Sequence, residues 1–139
     1  MKLGKSQLTV GRYGCTTTCI SMLSDYFGSY VSPAEFAGDQ NLYTKDGLII
    51  WGALNIKRMA LDGKEFRQYK FNQAAIDLSL KEKDKAVALQ VDNGAHWIVA
   101  ARKIPLLNDY LCIDPWTGGL CMAKQRYKNI TGSAHFKRK

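Results

Sequence analysis

From Ala86 onward the sequence consists of short apolar runs separated by turn sequences such as Asp-Asn-Gly and Pro-Leu-Leu-Asn. The runs are rich in Val, Ile, Tyr and Trp, residues that favour extended backbone. They are AVALQV (86–91), HWIVAARKI (96–104), DYLCID (109–114) and GLCMAKQRY (119–127). We therefore expect consecutive antiparallel strands joined by turns in this half of the chain.

The first half of the chain shows helical patterns instead. Residues 16–27 carry apolar side chains at helical spacing, and Gly28 follows as a stop signal. Ser32-Pro33-Ala34-Glu35 has the pattern of a capping box, so a second, short helix is expected there. Helices are also predicted from Leu48 to Leu61, ending near Gly63, and from Gln73 to Leu80. Helices followed by a sheet indicate an α+β fold.

The chain length fits a single domain covering residues 1–139. A domain of this size buries roughly two thirds of its unfolded surface, which is enough for a hydrophobic core. Apolar residues make up 46% and charged residues 23%, which is ordinary for a globular protein and unlike a disordered one. No internal repeat or Pro/Gly/Ser-rich linker divides the sequence.

The sequence has no stretch approaching the roughly 18 apolar residues of a membrane span, and its N-terminal segment lacks an apolar signal-peptide region. A cytoplasmic protein is therefore expected. In that compartment the four cysteines should be free thiols. Cys112 and Cys121 flank an Asp-Pro turn, however, and a disulfide between them is the alternative in an oxidising compartment.

The chain has 20 Lys+Arg against 12 Asp+Glu, a formal charge of +8, and several of the positive charges lie in KQRYKN and HFKRK near the C-terminus. A basic balance favours weak association with polyanions. The preferred interpretation is a solvated basic face, and the alternative is an acidic partner bound through this basic region. No specific nucleic-acid motif is present.

Cys15 follows Gly14 at the predicted start of the first helix. The unpaired backbone N–H groups and the positive end of the helix dipole favour a thiolate there. Gly14 has no side chain, so a substrate backbone can approach the sulfur, and the N–H of Cys15 would point toward a developing oxyanion. Taken alone, a free cysteine is more often a small buried residue.

His96 begins a predicted strand, and Asp114 ends the next one, just before Pro115. The carboxylate can then lie beside the imidazole and hold it in one tautomer. Each residue also has a structural interpretation: a hydrogen-bonded histidine at a strand end, and an Asp-Pro turn. His135 is the other histidine, and it is the poorer candidate for a buried base because its neighbours form a basic tail expected to be exposed.

The order Cys15, His96, Asp114 is that of the papain-like proteases. The segments YGCTTTCISMLSDYFG, AHWIVAARK and DYLCIDPWTG resemble the nucleophile helix, the histidine strand and the Asp-Pro turn of the C39-like peptidases. That family includes phage-associated members and bacteriocin-leader proteases. The resemblance spans about residues 7–132.

This resemblance implies a papain-like fold, with N-terminal helices packed on a C-terminal antiparallel sheet, and peptide hydrolysis through a thioester acyl-enzyme. It makes Cys15 the nucleophile, His96 the general base and Asp114 the orienting carboxylate, with no cofactor and no metal. The family usually supplies a second oxyanion donor from a glutamine about six residues before the nucleophile. The upstream glutamine here is Gln7, eight residues before, with Ser6 or a backbone N–H as alternatives. Delivery by a phage or a secretion apparatus is compatible with the family.

Other functions fit the same residues. An acyltransferase, such as a transglutaminase or an arylamine acyltransferase, would use the same triad. A catalytically weak C39-like domain would act as a peptide-binding or inhibitory module. A zinc site that includes Cys15 and Cys19 is disfavoured because the Cys-x-x-Cys spacing is missing, and Cys19 is expected in the core.

The three tryptophans, Trp51, Trp97 and Trp116, are expected in the core. For the last two the alternative is a role beside the His–Asp pair, either shielding it from water or lining a substrate groove.

Overall fold

The computed structural model describes residues 14–139, which form four α-helices and seven strands of one antiparallel sheet. The helices are α1 (Cys15–Tyr26), α2 (Pro33–Gly38), α3 (Gln73–Leu80) and α4 (Ala123–Tyr127). The strands are β1 (Met59–Leu61), β2 (Arg67–Gln68), β3 (Lys85–Val91), β4 (His96–Ile104), β5 (Asp109–Ile113), β6 (Leu120–Met122) and β7 (Ile130–Arg138). The predicted α+β class is confirmed. The chain divides into two compact units, one ending at Arg58 and the other spanning Met59–Lys139.

Helix α1 of the first unit forms where the apolar spacing predicts it. Its buried face includes Cys19, Ile20 and Leu23. Cys19 and Ile20 come four and three residues before Leu23, so all three share one side of a helix. Gly28 follows with a φ of 82°, a left-handed conformation that ends the helix at little cost for glycine.

Helix α2 begins with the predicted capping box. The Ser32 hydroxyl accepts a hydrogen bond from the Glu35 backbone N–H at 3.1 Å, and the Glu35 carboxylate accepts one from the Ser32 backbone N–H at 3.5 Å. Pro33 occupies the first helical turn, where its missing N–H costs nothing. Three local residues therefore specify where this helix starts.

The predicted helix from Leu48 to Leu61 is wrong. Only Trp51–Ala53 forms a single 3₁₀ turn, and Met59–Leu61 is strand β1, which pairs with β7 from Met59↔Arg138 to Leu61↔Phe136. Pairing with a strand more than seventy residues away along the chain overrides the local helical spacing. Trp51 is accordingly only partly buried, instead of lying on the buried face of a helix.

The sheet belongs to the second unit, and its order is β1-β7-β3-β4-β5-β6, with β2 also paired to β7. Strands β3 to β6 are consecutive antiparallel neighbours, as the spacing of runs and turns predicts. A buried cluster packs on one face, and it draws on α3, on four strands and on α4. Its fully or nearly fully buried members are Ile76, Val87, Leu89, Val91, Ile98, Ala100, Tyr110, Cys112, Ala123 and Ile130.

The run 119–127 was predicted as one strand, but it forms β6 followed by α4. The Asp109 carboxylate explains the change, because it accepts hydrogen bonds from the backbone N–H groups of Lys124 and Gln125 at 2.8 and 3.1 Å. Free N–H groups at a helix start need such an acceptor. This acceptor comes from another strand, so the local sequence does not show it.

The C-terminal segment is strand β7, not an exposed basic tail. It lies in the sheet between β1 and β3. His135 is buried there, with its Nδ1 hydrogen-bonded to the Ser79 hydroxyl at 2.9 Å and its Nε2 to the Ser133 hydroxyl at 2.8 Å. The prediction of an exposed His135 is therefore wrong. It remains a poor candidate for a general base because both of its ring nitrogens have partners.

No helix within residues 14–139 combines the length and the apolar character that crossing a membrane requires.

Candidate active site

The turn before β4 fixes the position of His96. Asp92, Asn93 and Gly94 all have positive φ values, of 56°, 54° and 90°, and they reverse the chain between β3 and β4. Asn129 anchors this turn, since its side chain accepts a hydrogen bond from the Asn93 backbone N–H at 3.1 Å and donates one to the Asn93 side chain at 2.6 Å. His96 is the first residue after the turn to pair in the sheet, opposite Val91.

Asp114 follows the last residue of β5 and starts the next turn. Its backbone N–H donates to the Gly119 carbonyl at 2.9 Å, and its own carbonyl accepts from the Gly118 N–H at 2.7 Å. Because β4 and β5 are antiparallel, the start of β4 and the end of β5 lie at the same end of the sheet. The Asp114 Oδ1 atom is 2.9 Å from His96 Nε2, and both side chains have no exposed surface.

Both oxygens of the Asp114 carboxylate accept hydrogen bonds. Oδ1 accepts from His96 Nε2 and from the Trp116 backbone N–H at 3.0 Å, and Oδ2 accepts from the Tyr127 hydroxyl. Burial alone would raise the pKa of Asp114, but the hydrogen bonds from Tyr127, His96 and Trp116 outweigh it and lower the pKa below its usual value. Asp114 is thus a carboxylate across the neutral pH range.

His96 is neutral in the same range. Burial lowers the pKa of its imidazole, and the opposing effect of Asp114 does not reverse the shift. Since a carboxylate only accepts hydrogen bonds, the proton of the neutral ring lies on Nε2. Nδ1 is therefore an acceptor, and it is buried without a hydrogen-bond partner among the described residues. Such an atom is available to take a proton.

Trp116 covers the imidazole. Its ring stacks on His96 with 3.5 Å between ring centroids and 17° between ring planes, while 52% of the residue stays exposed. The core interpretation is wrong for Trp116, which lies in the turn after Asp114 and shields His96 from one side. Trp97, in contrast, is buried in β4 as expected. Keeping water away strengthens the hydrogen bond between His96 and Asp114.

Two further members of the site, Arg126 and Tyr127, were not identified from the sequence. Both belong to α4, where the sequence predicted a strand. The Arg126 Nε atom is 3.6 Å from Asp114 Oδ2, and the Tyr127 ring lies 5.4 Å from the His96 ring. The only signal that could have found them is the capping acceptor Asp109, which is distant in sequence from the helix that it starts.

Known proteins give no direct guide to the function of this site. No protein-family model, curated protein or solved structure matches the chain. Within residues 14–139 there is also no group of three His, Cys, Asp or Glu side chains placed to hold a metal ion. Function is therefore inferred from the His96–Asp114 pair and from the cysteines.

Cys15 belongs to the first unit. It is the first residue of α1 and is partly buried, and Gly14, the residue before it, makes no side-chain cap to the first turn of the helix. Gln7 and Ser6, the proposed oxyanion donors, lie outside the described residues. Of the predicted site residues, the structure thus brings His96 and Asp114 together and places Cys15 at a helix start.

The other three cysteines have different surroundings. Cys19 is buried in the core as predicted. Cys112 and Cys121 are directly opposite each other across β5 and β6, and both are free thiols. Burial raises the pKa of both Cys112 and Cys121, which keeps them protonated near neutral pH.

Proposed function

We propose that the protein is a C39-like cysteine peptidase of papain-like fold, in which Cys15, His96 and Asp114 act as nucleophile, general base and orienting carboxylate. One observation carries the proposal: His96 donates Nε2–H to a buried carboxylate and keeps a buried Nδ1 without a partner among the described residues. In a thiol peptidase with a Cys-His-Asp triad, one imidazole nitrogen donates a hydrogen bond to a carboxylate, while the other nitrogen exchanges a proton with the thiol. The contacts of His96 have this division.

The position of Cys15 supports its role as the nucleophile. It begins a helix of 12 residues, and the free N–H groups and the positive end of such a helix stabilise negative charge on a nearby sulfur. Cys19 and Cys112 are fully buried, so neither can reach a peptide. Among the described cysteines, only Cys15 and Cys121 are partly exposed, and Cys121 belongs to a sheet strand.

In the proposed reaction, the thiol proton of Cys15 passes to His96 Nδ1 as the sulfur attacks the carbonyl carbon of a peptide bond. The resulting imidazolium returns the proton to the leaving amine when the C–N bond breaks, which leaves a thioester. Water then attacks the thioester carbon and gives one proton to His96; the C–S bond breaks, the acid departs, and His96 returns that proton to the sulfur. The backbone N–H of Cys15 and the Gln7 side chain are the proposed oxyanion donors. No cofactor takes part, and the substrate is a peptide or a protein.

Turnover of a peptide library by purified variants tests the proposal. Cys15→Ala should abolish hydrolysis, and His96→Ala should cost nearly as much, because the thiol then loses both its activation and its proton donor. Asp114→Ala should be milder, since a less well oriented histidine still accepts the proton. The double variant of Cys15 and His96 should be little worse than Cys15→Ala, as expected for residues that act as a unit.

Hydrolysis that survives Cys15→Ala would reject the thiol mechanism. A folded wild type that neither hydrolyses peptides nor forms a covalent adduct would favour a peptide-binding or inhibitory module. A wild type that transfers acyl groups to amines more readily than to water would favour an acyltransferase.

A further inference from the structure

The Asp114 carboxylate uses its two oxygens for different purposes. Oδ1 holds His96 and the backbone of its own turn, whereas the Tyr127 hydroxyl is the hydrogen-bond donor to Oδ2. Because Asp114 is fully buried, solvent cannot easily replace a lost donor at Oδ2. The Arg126 guanidinium, at 3.6 Å, is too far from Oδ2 for a normal hydrogen bond. Tyr127 therefore restrains the carboxylate at the oxygen that does not contact His96.

Contacts at the start of helix α4 hold the helix, and with it the Tyr127 hydroxyl, in a fixed position. The backbone N–H groups at the start of the helix are held by Asp109, and the Lys124 ammonium donates to the Asn108 carbonyl at 2.8 Å. The helix ends after Tyr127 at Lys128, whose φ is 66°. Asp109 begins β5 and Asp114 follows its last residue, so one strand anchors both the helix and the carboxylate that the helix contacts.

We infer that Tyr127 is a positioning residue that fixes the Asp114 carboxylate and, through it, the orientation of the His96 ring. Burial and the neighbouring Asp114 raise the pKa of Tyr127, so its hydroxyl remains a donor over the range where a peptidase works. Without the Tyr127 hydroxyl, the Asp114 carboxylate is a stronger hydrogen-bond acceptor for His96, and its side chain is freer to rotate. The consequence for turnover rests on the proposed function, but the consequence for His96 does not.

Tyr110 offers a matched control. Its hydroxyl donates to Asp77 Oδ1 at 2.6 Å, so it makes the same kind of bond, and burial likewise raises its pKa. Tyr110 pairs with Lys103, seven residues along β4 from His96 and about 23 Å away at the usual rise of a strand. Tyr127→Phe and Tyr110→Phe thus each remove one tyrosine–aspartate bond, but only the first touches the His96 site.

The experiment follows the imidazole nitrogens of ¹⁵N-labelled protein by NMR through a pH titration, with His135→Gln assigning the signals of the second histidine. We expect Tyr127→Phe to raise the titration midpoint of His96 by about half a pH unit or more, because the carboxylate that has lost its Tyr127 donor stabilises the imidazolium more strongly. Tyr110→Phe should leave the midpoint unchanged. If the wild type hydrolyses peptides, Tyr127→Phe should lower kcat about tenfold with KM nearly unchanged, the effect of losing one hydrogen bond to a charged group.

His96 signals in Tyr127→Phe that match the wild type would overturn the inference, as would an equal change in Tyr110→Phe. If Tyr127→Phe does not fold, Asp109→Asn takes its place, because it weakens the cap of α4 without touching Asp114. A smaller change of His96 in the same direction is then expected, and no change would overturn the inference. The NMR measurement needs no substrate, so a wild type without hydrolysis would reject the proposed function alone.

Discussion

Two buried histidines, His96 and His135, link the stability of the protein to pH. Burial lowers the pKa of each below the value of about 6.5 that histidine has in an unfolded chain. As the pH falls below about 6.5, the unfolded chain binds protons before the folded one does, so the free energy of unfolding decreases. The lowered pKa of Asp114 has the same effect below about pH 4. The fold should therefore weaken on acidification in two stages.

Replacing His135 by Gln separates the contribution of one histidine. Glutamine keeps polar atoms near Ser79 and Ser133 but does not take up a proton. The free energy of unfolding of the wild type should fall more steeply from pH 6.5 to 5 than that of the variant, with a difference of at most about 1.4 kcal/mol per pH unit. Urea unfolding followed by tryptophan fluorescence at several pH values measures both slopes. Equal slopes would show that His135 does not titrate differently in the two states.

At the scale of elements, the sequence predicted those helices and strands whose signals are local. The apolar spacing of α1, the capping box of α2 and the turn after β3 each lie within a few residues of the element they define. The proximity of His96 and Asp114 also follows from strand order, because antiparallel neighbours bring the start of one and the end of the next together. Cys15 at a helix start likewise needed only the local pattern.

The wrong predictions share one physical cause, which is a partner distant in sequence. Strand β1 is extended because β7 pairs with it, α4 forms because Asp109 caps it, and His135 is buried because β7 lies inside the sheet. No window of a few residues contains these partners. Tyr127 was missed for the same reason, since its role depends on the helix that Asp109 starts.

Gly132 shows how closely β7 meets β2. A Cβ atom at this position would lie 2.6 Å from the Gln68 carbonyl oxygen and 2.8 Å from Arg67 Nη1, closer than real Cβ atoms come to other atoms. Gly132→Ala should therefore destabilise the protein by about 1–3 kcal/mol, the usual cost of overpacking. Gly38→Ala is the control, because nothing lies within 4 Å of its Cβ position. Urea unfolding compares the two, and equal stability would mean that β2 moves away without cost.

Over the whole molecule, the net charge is +8, and most of the basic residues near the C-terminus belong to α4 and β7 instead of an exposed tail. Arg138 is in β7, where it pairs with Asp84 at 3.1 Å, and Lys85 pairs with Asp62 and Glu82 at 3.2 and 3.3 Å. Exposed pairs of this kind contribute little to stability. An acidic partner for the basic C-terminal residues remains a prediction, and it would have to bind the exposed end of β7 and the basic side chains of α4 instead of a free tail.

The central claim, that His96 activates the thiol of Cys15, is tested most directly by alkylation with iodoacetamide at pH 6, read by intact mass and peptide mapping. An ordinary thiol, with a pKa near 8.5, is nearly all protonated at this pH and reacts slowly. Cys121→Ala is the matched control, because Cys121 is the other partly exposed cysteine among the described residues. We expect rapid addition of one group at Cys15 in the wild type and in Cys121→Ala, and a rate at least about tenfold lower in folded His96→Ala. Slow modification of Cys15 in the wild type, or a rate that His96→Ala leaves unchanged, would contradict the claim.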